Sequence, residues 1–170
     1  ISSSISNSPQ LFAHNSSNIK NMNLKPIFYT LEEWSFQLQT FLQSFFLVFL
    51  VFVFIKFSLL INFFLYAWIP LINLFLFIYW FPVLLCLISV RFTDIAQLVP
   101  IVLQLVFLTS PILYRKESLG ALSWITNFNF IYQILDPIRV SIIEGYVNYE
   151  SSLYLLILNI IGLVLTILFL

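Results

Sequence analysis

Charged side chains are scarce in this sequence: aspartate, glutamate, lysine and arginine together make up 8% of its 170 residues. A soluble domain usually has about a quarter of its residues charged, so this chain cannot cover a water-facing surface. Hydrophobic residues make up 61% of the sequence, phenylalanine occupies 20 positions, and the mean hydropathy is +1.03. This composition indicates an integral membrane protein rather than a soluble protein with an unusually apolar core.

Several further absences exclude classes of function. The formal net charge is zero, which gives no electrostatic reason to bind nucleic acid. The single cysteine, Cys86, excludes an internal disulfide, and the single histidine, His14, leaves metal sites and catalytic triads without their usual members. None of the three glycines is followed by Lys-Ser or Lys-Thr, so the chain lacks a phosphate-binding loop for ATP.

Residues 1–35 differ from the rest of the chain because they are rich in serine and asparagine and cannot cross a bilayer. The apolar residues of this polar leader follow a broken helical stripe: Ile19, Met22, Ile27 and Leu31. The pattern is consistent with a short amphipathic helix at the membrane surface. A solvated, poorly ordered segment explains the same composition equally well.

Residues 36–170 are predicted to form a transmembrane domain. A helix needs about 20 apolar residues to cross a hydrocarbon core of about 30 Å. The runs that meet this length are residues 36–55, 69–90, 95–114 and 152–170. We therefore expect an all-α integral membrane fold with four transmembrane helices, and a hydrophobic turn at the interface between the first two.

A short polar joint separates the second and third predicted spans. Arg91 follows the second span, where the negative end of a helix dipole favours a cation. Asp94 precedes the third span, and Gln97 follows it by three residues, as in a capping box. Helix punctuation alone explains these residues without any function.

Residues 115–151 contain an amphipathic pattern of about 14 residues, which is too short to cross a membrane. Its apolar positions are Ile131, Ile134, Leu135, Ile138 and Ile142. Pro137 should kink this helix and Gly145 should end it. We expect an external helix that dips into the membrane or lies on its surface, with Asp136 and Arg139 spaced to pair with each other.

The third predicted span has a polar stripe. Gln97, Gln104 and Pro111 are seven residues apart and share one helix face. A polar stripe in a membrane helix normally faces protein or a water-filled cavity rather than lipid. Helix packing and a translocation path both remain open as explanations.

Several linked motifs resemble a known family. They are "VRFTDIAQLVPIVLQLVFLTSPILY", then "WITNFNFIYQILDPIRVSIIEG", then "SSLYLLILNIIG", while "SSNIKNMNL" in the leader resembles the stretch after that family's second span. Together the motifs resemble the C-terminal two-thirds of a type-2 ABC exporter permease, in the branch that exports O-antigen, teichoic acid and related polysaccharides. The resemblance implies a fragment that lacks the first two of six spans.

The resemblance also implies function and partners. The chain would be a non-catalytic permease subunit in the cell (inner) membrane, working as a homodimer with a separate ABC ATPase that binds ATP and Mg²⁺, and it would itself hold no cofactor. The leader and the joint would be cytoplasmic, and residues 56–68 and 115–151 would be external. The residues implied to contact the ATPase are Ser17, Asn18, Ile19, Asn21, Leu24, Arg91 and Asp94.

A sugar polymer such as the glycan of a lipopolysaccharide suits a path lined by aromatic rings, whose faces stack on sugar C–H surfaces. The residues expected to form the path or its gate are Gln97, Gln104, Tyr79, Trp80, Tyr114, Trp124, Tyr132, Asp136 and Arg139. Other readings of the same sequence are a membrane-embedded acyl- or glycosyl-transferase, a non-catalytic scaffold, and an exporter of a drug, a lipid or a haem-related molecule.

Overall fold

The computed structural model describes residues 2–22, 25–110 and 129–170. Across these ranges the chain forms α-helices and one 3-10 turn, Ser8–Gln10, with no strand. The helices are α1 (Ser2–Asn7), α2 (Leu11–His14), α3 (Ser16–Met22), α4 (Pro26–Ile55), α5 (Phe57–Tyr66), α6 (Trp68–Arg91), α7 (Ile95–Thr109), α8 (Phe130–Ile143) and α9 (Tyr149–Phe169).

Three helices are long and apolar enough to cross a membrane: the Pro26–Val51 part of α4, α6 and α9. This finding confirms a multi-pass membrane protein. The predicted third span corresponds to α7, which has 15 residues and is shorter than the other three. Residues 111–114, which the prediction included in that span, lie outside the described ranges.

Helix α4 begins at Pro26, ten residues before the predicted start of the first span at residue 36. Proline suits the first turn of a helix because its fixed φ angle is helical and its missing N–H has no partner there. Trp34 and Phe41 on the early part of α4 pack against the core. The polar residues between 30 and 40 therefore extend the helix rather than precede it.

The expected turn after α4 is a helix instead. Lys56 has an extended backbone (φ −157°, ψ 99°) and separates α4 from α5, which runs for ten residues. No proline or glycine interrupts residues 57–66, so nothing in this run opposes a helix. The Asn62 side-chain amide donates a hydrogen bond of 3.2 Å to the Ile142 carbonyl of α8, and this contact holds α5 against the bundle.

Helix α6 lies at the centre of the chain and packs most extensively against α9. Its buried face includes Leu71, Leu74, Phe77, Ile78 and Val83. The outward faces of α4, α7 and α9 carry many exposed large apolar side chains. A central helix with apolar neighbours open to the outside is typical of a membrane bundle, in which lipid covers the outer surface.

The beginning of the polar leader packs inside the bundle. Ile5 on α1 is 1% exposed and belongs to the main apolar core, and Ser4 and Ser8 are also buried. The Ser89 hydroxyl of α6 donates to the Pro9 carbonyl at 2.6 Å. The burial of Ile5, Ser4 and Ser8 was not expected from either interpretation of the leader, whereas α2 has no buried residue.

Helix α8 spans 14 residues, which matches the amphipathic pattern, and it buries Ile131, Ile134 and Ile142. The Asn129 side chain caps its beginning by accepting from the Tyr132 N–H at 3.0 Å. After it ends, Gly145 adopts φ 73°, a left-handed conformation that glycine tolerates best. The prediction that this helix ends at Gly145 is confirmed.

Candidate functional site

A cleft between α1 and α7 brings hydroxyl and amide groups together beside α7, one of the shorter apolar helices. We call it the α1–α7 cleft, and its volume is about 350 Å³. The residues that line it are Ser2, Ser6, Pro100, Leu103, Gln104 and Phe107. Among the described residues that line it, the polar groups are two hydroxyls and one amide, and none of these residues is charged.

Both glutamines of the predicted polar stripe are exposed on the surface of α7. Gln104 lines the cleft, whereas Gln97 lies two turns earlier, near the joint, and Pro111 lies outside the described ranges. Gln104 is nine residues beyond Ile95, about 13 Å along the helix, which is close to the middle of a core of about 30 Å. Leaving an amide unpaired in hydrocarbon costs about 4–8 kcal/mol. In a helix that spans the bilayer, as α7 is predicted to do, such an amide faces water or protein rather than lipid.

The joint between α6 and α7 differs from its prediction. Asp94 has a helical backbone (φ −66°, ψ −21°), and its side chain makes no capping hydrogen bond. A capping side chain needs an extended backbone to reach the N–H groups of the first turn, so the predicted capping box with Gln97 was wrong. Asp94 contributes its backbone carbonyl, which accepts from the Gln97 and Leu98 N–H groups at 3.0 and 3.1 Å. Within the described part of the chain, the Asp94 carboxylate makes no hydrogen bond and no ion pair.

The joint and the leader lie at the same end of the bundle. Arg91 is the last residue of α6 and is exposed, and Ser89, two residues earlier, holds the Pro9 carbonyl of the leader. Helix α3 follows Pro9 and α2 in the leader, and most of its residues are exposed. Of the residues predicted to contact an ATPase, Ser17, Asn18 and Asn21 are exposed on α3, Ile19 is half-buried, and Leu24 lies outside the described ranges.

The predicted path aromatics do not share one surface. Tyr79 packs edge-to-face on Trp34 of α4, with ring centroids 5.8 Å apart. Trp80 points instead into the contact between α6 and α9. Tyr132 lies half-buried on α8. Tyr114 and Trp124 lie outside the described ranges.

The last two predicted path residues lie on α8, where Asp136 is half-buried and Arg139 is exposed. No carboxylate oxygen of Asp136 lies within 4.0 Å of a guanidinium nitrogen of Arg139, so the expected pair does not form within the described chain. Just after α8, the charge of Glu144 and a hydrogen bond to its carboxylate raise the pKa of the exposed Tyr146.

A buried polar network that was not predicted from the sequence connects α6 and α9. The Asn159 amide donates to the Asn73 carbonyl at 3.0 Å, and the Asn159 side-chain oxygen accepts from the Trp80 indole N–H at 2.8 Å. The Asn73 amide in turn donates to the Ser152 carbonyl at 2.9 Å. Both asparagines are 1% exposed. The available signal was a lone asparagine in each of two apolar runs, because such a residue must turn toward protein.

The network includes a close helix contact. Gly162 on α9 lies directly against the Trp80 ring, and a Cβ atom there would come within 2.4 Å of it. Small residues at membrane helix contacts let helices approach closely, and interhelical hydrogen bonds then hold them. These contacts join the first half of α6, from Asn73 to Trp80, to α9 between Ser152 and Gly162.

Among the described residues, no group of three or more His, Cys, Asp or Glu side chains could hold a metal ion. A family model described as ABC-2 type transporter matches residues 23–143, which is most of the chain. No curated protein and no solved structure matches the chain.

Proposed function

Because this chain belongs to the ABC-2 type transporter family and is a transmembrane permease of an ABC transporter, we propose that its cargo is a polysaccharide or a lipid-linked glycan that it exports across the cytoplasmic membrane. Members of this family are transport subunits and are not themselves catalytic. Membership also implies an ABC ATPase as partner, which binds ATP and Mg²⁺ and supplies the energy.

The α1–α7 cleft is the observation that carries this proposal. Its hydroxyls and amide are neutral groups that both donate and accept hydrogen bonds, and the lining residues that the structure describes carry no charge. Sugar hydroxyls pair well with such groups, whereas proton-coupled transport needs titratable side chains. Its apolar residues, such as Phe107, offer surfaces for the C–H faces of sugar rings.

We further propose that α3 and the joint form the contact with the ATPase. Both are exposed, and the hydrogen bond from Ser89 to Pro9 links the leader to the end of α6. A push on α3 or on Arg91 and Asp94 would then reach α6 directly. Since α9 is joined to α6 by the asparagine network, the two helices would rock together and open the path.

Helix α8 is proposed to be a re-entrant gate on the outer side. Its first residue, Phe130, touches Phe77 and Phe81 near the middle of α6, with ring centroids 6.1 and 5.2 Å away. Its last turn meets Asn62 of α5, just before the start of α6. These contacts support a helix that enters from the outer side and reaches about half the depth of α6.

A second copy of the chain is proposed to complete the path. The cleft is open on one side, and its glutamine faces outward rather than into the bundle. A homodimer in which two such clefts face each other would shield these amides from lipid. The aromatic residues predicted for the path would then line only parts of it.

The cargo proposal is tested by replacing Gln104 with leucine and measuring polymer at the cell surface with a glycan-specific antibody. We expect surface polymer to fall at least tenfold while the amount of membrane-inserted protein stays constant. Gln39→Leu is the matched control, since Gln39 is an exposed glutamine of α4 that does not line the cleft. Unchanged surface polymer in Gln104→Leu would contradict the proposed path.

The coupling proposal is tested by the double substitution Arg91→Ala with Asp94→Ala. We expect insertion and ATPase binding to persist while ATP turnover no longer drives export, measured as polymer exported per ATP hydrolysed in proteoliposomes. Undiminished export would show that the joint only separates two helices. Failure to co-purify any ABC ATPase with the unaltered chain would contradict the proposed partnership itself.

A further inference from the structure

A groove with one charged residue at its rim lies where α6 and α9 end. We call it the α6–α9 groove, and its volume is about 420 Å³. The residues that line it are Leu84, Leu87, Ile88, Arg91, Phe92, Leu165, Thr166 and Phe169. Six of the eight are apolar, so the groove itself suits an apolar occupant.

The one hydroxyl in the groove is already satisfied. Thr166 is 2% exposed, and its hydroxyl donates to the Leu163 carbonyl of its own helix at 2.8 Å. The groove floor therefore offers no free donor to a polar ligand. A hydrocarbon chain meets no unsatisfied polar group there.

The rim, in contrast, carries a positive charge without a partner. Arg91 is exposed, and no carboxylate oxygen in residues 2–22, 25–110 and 129–170 lies within 4.0 Å of its guanidinium. Arginine presents a planar set of donors that matches the oxygens of a phosphate. As the last residue of α6, it lies where a span leaves the hydrocarbon core and lipid headgroups begin.

We propose that the α6–α9 groove binds an anionic phospholipid, with one acyl chain along the groove and the headgroup phosphate on Arg91. Charge complementarity decides the occupant: an apolar slot with a cation at its polar end matches an amphiphile with an anionic head. The proposal requires only that the chain lies in a bilayer, and it does not depend on the cargo.

A second groove in the same chain shows what the charge adds. The space between α4, α6 and α9 is larger, about 570 Å³, and the described residues that line it include Leu38, Phe75 and Tyr79 but no charged side chain. It would accept the acyl chain of any lipid. The α6–α9 groove alone of these two would discriminate by headgroup.

The test is native mass spectrometry of the purified, delipidated chain titrated with phosphatidylglycerol or phosphatidylcholine of the same acyl chains. We expect phosphatidylglycerol to bind about fivefold more tightly, the difference that one basic residue makes at an anionic surface. Arg91→Gln should remove this preference. Lys56→Gln, which removes a charge beyond the opposite end of α6, should keep it.

A second pair of variants tests the groove without changing any charge. Leu165→Trp fills it and should weaken binding of phosphatidylglycerol at least fivefold, whereas Val164→Trp, on an exposed position outside the groove, should not. This pair also keeps the proposal testable if Arg91→Gln fails to fold in detergent.

Equal binding of the two lipids by the unaltered chain would overturn the proposal. So would a preference that survives Arg91→Gln, or one that Lys56→Gln removes equally, since the charge would then act without a specific site. Because the assay contains no ATPase and no cargo, its failure would leave the proposed export function untouched. Conversely, a chain that binds lipid normally but exports no polymer would contradict the export proposal and leave the lipid site in place.

Discussion

Replacing Gly162 with alanine should destabilise the contact between α6 and α9. The new Cβ atom would lie 2.4, 2.6 and 2.7 Å from three carbons of the Trp80 ring. The ring cannot easily move away, because its indole N–H is bonded to Asn159 and it packs edge-to-face on Phe77 and Phe81 at 5.7 and 5.6 Å. The substitution must therefore shift a helix or break a hydrogen bond.

Two opposing effects set the magnitude. Alanine is a better helix former than glycine by about 1 kcal/mol, which alone would stabilise α9. Overpacking a tight contact costs about 1–3 kcal/mol, and losing a hydrogen bond between membrane helices costs about 0.6 kcal/mol and at most about 1.7. Because the steric and hydrogen-bond costs exceed the helix gain, we expect the free energy of unfolding to fall by roughly 1–4 kcal/mol.

The assay is unfolding in mixed micelles with increasing SDS, followed by far-ultraviolet circular dichroism and tryptophan fluorescence. Trp80→Leu removes the ring, so in that background Gly162→Ala should be neutral or stabilising. Ile161→Ala is the control, since Ile161 is 55% exposed and lies outside this contact. If Gly162→Ala alone stabilised the chain by about 1 kcal/mol, the close contact between the two helices would be refuted.

Three more predictions concern other buried contacts. Asn159→Leu removes the hydrogen-bond partner of the Trp80 indole and of the Asn73 carbonyl. We expect the free energy of unfolding in SDS to fall by about 1–2 kcal/mol. An equal loss in a variant that already lacks Asn73 would argue against a shared network. Gly145→Ala should lower the free energy of unfolding by about 1–2 kcal/mol, because the backbone φ is +73° and the new Cβ would lie 2.9 Å from the Asn62 amide. Thermal unfolding in detergent measures this loss. A higher melting temperature would contradict it. Ser89→Ala should lower the free energy of unfolding by about 0.5–1.5 kcal/mol, because it removes the hydrogen bond to the Pro9 carbonyl. The leader should then be cleaved faster by protease. An unchanged cleavage rate would show that this hydrogen bond does not hold the leader in place.

Local patterns were enough to predict several elements. The apolar spacing from Ile131 to Ile142 predicted α8 over about the observed length, and Gly145 predicted its end. The run from 69 to 90 predicted a span within one residue of α6 at each end. These features depend on hydrophobic periodicity and on backbone preferences, which are properties of neighbouring residues and can therefore be read from the sequence.

Other features depended on contacts between distant residues. Asp94 was predicted to cap α7, but the extended residue of the connection is Phe92, and Asp94 itself has a helical backbone and no capping hydrogen bond. The leader was interpreted as a surface helix or a solvated segment, yet Ile5 is buried because α1 packs against α6 and α7. Composition cannot reveal such packing.

The candidate site divides in the same way. The seven-residue spacing of Gln97 and Gln104 indicated a polar face on α7, and both side chains are exposed. Ser2 and Ser6 of the leader complete the cleft beside Gln104. No local pattern in the sequence predicts this arrangement. Residues about 100 positions apart meet there only because the bundle brings their helices together.

By itself, the sequence determined that this protein lives in a bilayer as a set of helices, because too few charges and long apolar runs leave no alternative to burying the chain in lipid. Its motifs also indicated the transporter family that the comparison confirmed. Only the tertiary structure decided which polar groups are buried and which remain open. Asn73 and Asn159 are buried in the contact between α6 and α9, whereas Gln104 is exposed. The physical reason is that the packing of helices far apart in the chain determines the partner of each amide.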